Sequence, residues 1–262
     1  MKIIILFIHH KTCPVTLYHY KQFLAHHNND NDVAIVPITY PDHADSCIEG
    51  SYIARNLSVF RKNEKKVYQK IRNNNPYDLD CLIWDYVLFS GERADKIIVM
   101  EWDALCRQHV KDFYADLLGC DLAGSVVRPT VEAHIRKRWQ WHWLKENYTV
   151  SADFINKYRQ YITSITPTCG IMIDWELAVK NAGLVRDRPH DFDNIHNELA
   201  IGTLSRIHNA VPKGFSDSKQ KMINWRKNLI DVQEVGIFHP VKSMHAGVRK
   251  FNFFSLDSYR IK

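Results

Sequence analysis

Residues Ile3 to Ile8 form an unbroken apolar run, preceded by Lys2 and followed at once by His9, His10 and Lys11. Six residues fall far short of the roughly 20 needed to cross a bilayer. The cationic residues closing on the run also do not suit a signal-peptide core. The run therefore reads as a buried first strand. A second such run, Ile97 to Met100, is equally apolar. Strands of this kind, buried on both faces, belong to sheets covered by helices on either side.

The segments between them keep α/β punctuation. Pro14 and Thr16 introduce a helical stretch, Leu17 to His26. Val33 to Ile38 is a second strand, ended by Thr39-Tyr40-Pro41-Asp42. Tyr52 to Arg72 reads as a long helix stopped by Asn73 to Pro76. Leu82-Ile83-Trp84 is a short apolar element, followed by a helical or turn segment from Asp85 to Phe89. The strand Lys96 to Met100 runs into Glu101-Trp102-Asp103. A helix, Ala104 to Leu118, and a short strand, Leu122 to Val127, follow.

In the second half, Ser151-Ala152-Asp153 opens a helix to about Ile162. Thr168 to Ile173 is a Gly-initiated strand. Asp174 caps a helix, Trp175 to Ala182, with Gly183 at its end, and another helix covers His196 to His208. The tail from Val235 is irregular or short-stranded and aromatic-rich.

Ten Gly, nine Pro and 24% charged residues exclude a collagen-like or wholly disordered chain. No linker or repeat divides the sequence. The expectation is a single α/β domain over residues 1–262, with a mixed, mostly parallel central sheet flanked by helices. Its N-terminal half is Rossmann-like. Six scattered cysteines without C-x-x-C spacing disfavour a zinc motif or disulfide framework. They read as reduced thiols in a soluble, cytoplasmic protein. Lys plus Arg number 35 against 29 Asp plus Glu, a net charge of +6, which suits anionic partners without specifying nucleic acid.

Glu101-Trp102-Asp103 carries the most chemistry. Alternation lets both carboxylates point the same way, beyond the carboxyl end of a doubly buried strand, where such sheets bind ligands. Paired carboxylates suit Mg²⁺ or Mn²⁺, which complete their shells with phosphate oxygens and water. The alternative is that Asp103 caps a helix beginning at Ala104.

With these residues in hand, the chain resembles the metal-dependent nucleotide-sugar glycosyltransferases of the GT-A fold. Four stretches carry the resemblance in the family's order. Glu101-Trp102-Asp103 resembles the D-x-D-type motif, with Glu in place of the first Asp. Cys169-Gly170-Ile171-Met172-Ile173 resembles the glycine-bearing loop and strand near the acceptor. Asn197-Glu198 resembles, inexactly, the acidic motif that often supplies the base. Phe238-His239-Pro240-Val241-Lys242 resembles the late His segment of the metal and diphosphate site. The ordered set spans about residues 1 to 245.

The resemblance implies a transferase moving a sugar from a nucleoside diphosphate, a UDP-sugar by default, to a glycan or glycoconjugate acceptor. It implies Mn²⁺ or Mg²⁺ bound by Glu101, Asp103 and His239. His9, Lys11, Asp42, Asp85 and Trp102 would border the nucleotide, and Lys242 the diphosphate. Glu198, or secondly Asp193, would be the base of an inverting reaction; in a retaining one Glu198 would only position the acceptor. Residues 1–128 would form the donor half and 129–262 the acceptor half.

Arg136, Lys137, Arg138, Trp139, Trp141, His142, Trp143 and Lys145 form a Trp-rich basic stretch. Three alternating indoles can line a sheet edge facing the core, stack on an acceptor's pyranose rings, sit at lipid headgroups in peripheral membrane contact, or stack single-stranded bases. Two other functions compete. A sugar-nucleotidyltransferase usually has a Gly-rich loop after the first strand, and here His9 to Cys13 has no Gly. A nucleic-acid-binding module would use residues 136–145; no nucleic acid is expected for a glycosyltransferase. A P-loop enzyme is disfavoured, since G-x-x-x-x-G-K-[ST] is missing.

Overall fold

The N-terminal run is the strand β1 (Ile3–Ile8), buried along its whole length. A computed structural model describes residues 1–10, 12–60, 79–125, 152–164, 166–192, 195, 197–223 and 234–241. After β1 come α1 (Pro14–His27), β2 (Val33–Thr39), β3 (Tyr52–Ile53), α2 (Leu79–Phe89), β4 (Lys96–Glu101), β5 (Leu105–Cys106), α3 (Val110–Phe113) and β6 (Leu122–Gly124). The second half supplies α4 (Ala152–Tyr158), β7 (Ile171–Asp174), α5 (Trp175–Asp187), α6 (Pro189–Phe192), α7 (Asn197–Ile207), β8 (Lys213–Gly214), α8 (Asp217–Ile223) and β9 (Ile237–Phe238).

Seven strands form one sheet in the order β3-β2-β1-β4-β7-β6-β8. The β2–β3, β1–β2, β1–β4 and β6–β8 pairs are parallel, and β7 runs antiparallel to both its neighbours. The sheet is thus mixed and mostly parallel within one α/β domain, as the sequence leads one to expect. Its first four strands take the order 3-2-1-4 of a Rossmann half. The chain therefore reverses direction across the sheet between β1 and β4, and the crevice outside the carboxyl ends of those strands is the ligand position of such folds. Ile8 lies opposite Glu101 in that register.

The period of two in each strand divides the core into two layers. Ile4, Leu6 and Ile8 of β1, Ile97 and Val99 of β4, and Ile171 and Ile173 of β7 face α2, α5 and α7. Ile3, Ile5 and Phe7, Ile98 and Met100, and Met172 face Phe23 of α1, Val110 and Phe113 of α3, and Ile223 of α8. Both faces being covered explains why β1 and β4 show no polar alternation.

Several elements differ from the sequence expectation, each because a distant segment overrides local pattern. Tyr52 and Ile53 do not start a helix; they pair with Ile38 and Thr39 as the edge strand β3, and residues 61–78 lie outside the described set. Leu82-Ile83-Trp84 is the middle of α2, whose residues Leu79 to Val87 are all buried. A helix buried all round loses its 3.6-residue pattern. No helix covers Ala104 to Leu118. Leu105 and Cys106 instead pair antiparallel with Phe238 and Ile237 of β9, and only the short α3 follows. The alternative of Asp103 as a helix cap goes with that helix. Asp174 does cap α5, accepting from Glu176 N–H at 3.0 Å, but the helix runs on through Gly183 to Asp187. Among the described residues no helix is long and apolar enough to cross a bilayer, and all six cysteines are free thiols.

Candidate metal and nucleotide site

Glu101 ends β4, and Asp103 follows in a tight turn closed by Ala104 N–H donating to the Glu101 carbonyl at 2.8 Å. Two other parts of the chain brace this turn. His19 of α1 donates Nδ1–H to the Trp102 carbonyl at 3.0 Å. Val241 N–H donates to the Asp103 carbonyl at 2.7 Å.

The β5–β9 ribbon brings the late histidine to the same place. Leu105 lies opposite Phe238, Arg107 N–H donates to the Gly236 carbonyl at 2.8 Å, and His239 N–H donates to the Met222 carbonyl at 3.1 Å. His239 Nε2 consequently lies 3.2 Å from Asp103 Oδ1 and 3.8 Å from Glu101 Oε2. The Asp103 side chain is almost wholly buried, at 3% exposure, whereas Glu101 (24%) and His239 (21%) face the crevice.

The loop before β7 adds a thiol. Ligand atoms of Cys169, Glu101 and His239 all lie within 4.8 Å of one another. Gly170 turns this loop with φ at 76°, a conformation that favours glycine. A Cβ there would also stand 2.9 Å from Ile223 Cδ1. Gly170 is held by its N–H to the Val99 carbonyl at 2.8 Å and by the Tyr114 hydroxyl, which donates to its carbonyl at 2.6 Å. The start of α7 ties into the same loop: the Asn197 side-chain amide donates to the Thr168 hydroxyl. Thr166 N–H donates to the Glu198 carbonyl at 3.0 Å.

The electrostatics reflect this crowding. Burial pushes the Glu198 carboxyl up to about 8, with the Glu101 charge adding and His239 opposing. Burial disfavours a charged His239, but the neighbouring Asp103 carboxylate outweighs it and holds the imidazole well above its usual pKa. Burial chiefly raises the Cys169 thiol, against the pull of His239. The Glu101 carboxylate, the His239 imidazole and the Cys169 thiol form a donor set that fits a divalent cation, with Asp103 beside His239.

The other expected residues are dispersed. Trp102 stands edge-on to His10, ring centroids 5.5 Å apart, and His10 lies 6.2 Å from His43. An aromatic surface thus borders Glu101 at the ends of β1 and β2. His9 itself is buried, its Nε2 2.9 Å from Ser51 Oγ. The ring beside Trp102 is that of His10, and His9, an expected nucleotide contact, is the buried residue before it. Asp42 is exposed in the helical turn after β2, on the sheet edge that also carries Glu101.

Asp85 is buried in α2, where it accepts from the Tyr52 hydroxyl and from Asn56 N–H, each at 2.6 Å. Those bonds tie α2 to β3. Lys11, Asp193, Lys242 and the stretch 136–145 lie outside the described residues.

Sequence reasoning did not find Cys169 as a donor or His19 as the brace of the acidic turn. Cys169 lies far along the chain from Asp103 and has no partner cysteine at ligand spacing. Only the placement of β7 beside β4 reveals it.

No protein-family model matches the sequence, and no curated protein matches it. Among solved structures, the chain is similar to the galactosyltransferase LgtC in complex with donor and acceptor sugar analogues. That alignment has 11% identity, covers 91% of this chain and 86% of that one, and has a TM-score of 0.42. It is also similar to mouse xyloside xylosyltransferase 1 in its apo form, with 8% identity, 82% and 84% coverage and a TM-score of 0.38. A third is 4-diphosphocytidyl-2C-methyl-D-erythritol synthase from Anaerococcus prevotii, with 9% identity, 82% and 86% coverage and a TM-score of 0.37. These are likenesses of chain path at very low identity.

Proposed function

We propose that this chain transfers a sugar from a nucleoside diphosphate donor, a UDP-sugar by default, to a glycan or glycoconjugate acceptor. The observation that carries the reading is the convergence of Glu101, Asp103 and His239 at the β1–β4 crevice, with His239 Nε2 3.2 Å and 3.8 Å from the two carboxylates. Mn²⁺ or Mg²⁺ would be held by these three side chains. Such a cation, when bound, supplies Lewis-acid stabilisation of the charge that develops on a leaving diphosphate.

The chain's own groups have distinct tasks in this reading. The bond from the anomeric carbon to the diphosphate oxygen breaks, and a bond from the acceptor oxygen forms, through an oxocarbenium-like sugar. Lys242 neutralises the diphosphate, and Lys11 and Asp42 border the nucleotide. Trp102 and His10 offer an aromatic face to its base. Glu198 carries a proton at neutral pH, because its carboxyl titrates near 8. It therefore suits donating a hydrogen bond that positions a sugar or acceptor oxygen. Service as the base that takes the acceptor proton needs a lower value, and Asp193 is the second candidate for that task.

The test is a panel of UDP- and GDP-sugars incubated with each divalent cation, with detection of the released nucleoside diphosphate. Metal-dependent release from at least one donor is expected. Neither turnover nor binding of any donor would end the proposal. Pyrophosphate released from a nucleoside triphosphate plus a sugar phosphate would mark nucleotidyl transfer instead.

A further inference from the structure

We infer that Cys169 joins Glu101 and His239 as a donor to the cation of this site, so that the site takes thiophilic divalent ions such as Zn²⁺ and Co²⁺ in preference to Mg²⁺. This rests on the reading of Glu101 and His239 as part of a cation site.

The sulfur is built into the cluster. Cys169 is 2% exposed, and its Sγ lies within 4.8 Å of ligand atoms of both Glu101 and His239. It also hydrogen-bonds the His239 side chain. A buried free cysteine ordinarily behaves as a small hydrophobe among apolar neighbours. This thiol instead meets a carboxylate and an imidazole. The Gly170 turn follows directly, with φ in the region that favours glycine and a Cβ position 2.9 Å from Ile223 Cδ1.

Metal bonds of about 2.0–2.3 Å place neighbouring donors of a tetrahedral shell roughly 3.3–3.7 Å apart. The Glu101–His239 separation, 3.8 Å, lies at the edge of that range. Bringing the sulfur into the same shell needs a contraction of about 1 Å at most from the 4.8 Å limit.

The resulting set is one nitrogen, one sulfur and one carboxylate, with Asp103 beside His239. A thiolate favours softer ions, whereas Mg²⁺ and Mn²⁺ favour oxygen. The step balances as ligand exchange without redox: the Cys169 S–H proton and the His239 imidazolium proton leave to solvent, and metal–sulfur and metal–nitrogen bonds form. Most nitrogen- and oxygen-rich sites already prefer Zn²⁺ to Mn²⁺. The informative quantity is therefore the change in that preference when the sulfur is removed.

The experiment titrates the full-length protein with Co²⁺ while recording near-ultraviolet absorption, where thiolate-to-Co(II) charge transfer appears. Zn²⁺ binding is measured by competition with a chelating dye and Mn²⁺ binding by electron paramagnetic resonance. The wild type is expected to develop the band at one equivalent. Cys169→Ser and Cys169→Ala should lose it, and Cys47→Ser with Cys120→Ser, which removes the two half-buried thiols, should keep it. In Cys169→Ser, Zn²⁺ affinity should fall at least about tenfold while Mn²⁺ affinity moves less than about threefold.

A wild-type protein that binds Mn²⁺ but shows no charge-transfer band overturns the inference and leaves the cation site standing. So does a band that survives in Cys169→Ser. Failure of the wild type to bind Co²⁺, Zn²⁺ or Mn²⁺ overturns both. The wild-type band needs no variant, so the outcome does not depend on how well the substituted proteins fold; circular dichroism checks that separately.

Discussion

The histidines show how one residue type is sorted by environment. His27 donates Nδ1–H to the Phe23 carbonyl at 2.6 Å and accepts Val110 N–H on Nε2 at 3.0 Å, so it joins the end of α1 to α3 only when neutral. Its pKa is pushed down to about 4, chiefly by burial. His9 is lowered to about 4 by burial, with His10 and His43 adding to the effect. The unfolded chain takes up both protons below about pH 6.5, and the folded chain resists them until about pH 4. The stability these neutral histidines contribute is therefore intact above about pH 6.5 and lost as the pH falls towards 4. Between pH 7 and pH 5 the loss is about 2 kcal/mol for each. Urea midpoints recorded across that interval should fall with acid; a flat profile contradicts the account. His239, by contrast, is drawn towards the charged form by Asp103. None of this sorting is written in the fourteen histidines themselves. His239 stands out in the sequence only through the motif around it. Cys169 stands in the glycine-bearing motif, but that motif does not mark it as a donor, because its neighbours come from strands remote in the chain.

At the level of elements, Asp174 does two jobs. Its Oδ1 accepts from Glu176 N–H at 3.0 Å and Leu177 N–H at 3.4 Å, capping α5. Its Oδ2 lies 3.2 Å from the buried Lys96 ammonium, which also donates to the Cys120 carbonyl. Asp174→Ala removes the cap and leaves Lys96 without its counter-charge inside the sheet. The expected cost is about 2–3 kcal/mol of unfolding free energy, measured by urea denaturation; Asp174→Asn, which keeps cap geometry, should recover part of it. A loss under about 0.5 kcal/mol would show that neither contact matters. The cap was legible from the sequence because a helix start is local, and so were β1 and β4, because doubly buried strands leave continuous apolar runs. The identity of α2 was not, since a helix buried on every side shows no period. Nor was β5, since Leu105 and Cys106 become a strand only by meeting Ile237 and Phe238.

For the molecule as a whole, topology makes the site. The order 3-2-1-4 places the ends of β1 and β4 side by side, and Ile8 opposite Glu101. The antiparallel strand β7 beside β4 brings the Cys169 loop over that edge. The β5–β9 ribbon returns the chain so that His239 meets Asp103. The acidic turn could be anticipated because a strand and its end are contiguous. The assembly of remote segments around it was legible only through the family resemblance, because each contact depends on strand order. Binding of UDP, followed calorimetrically with and without Mn²⁺, tests the claim that this assembly is a metal-dependent nucleotide site. The wild type should bind UDP at least about tenfold more tightly with Mn²⁺, and Asp103→Asn should lose that enhancement while keeping its thermal transition. UDP affinity that is indifferent to Mn²⁺ in the wild type, or an enhancement undiminished in Asp103→Asn, would contradict the account.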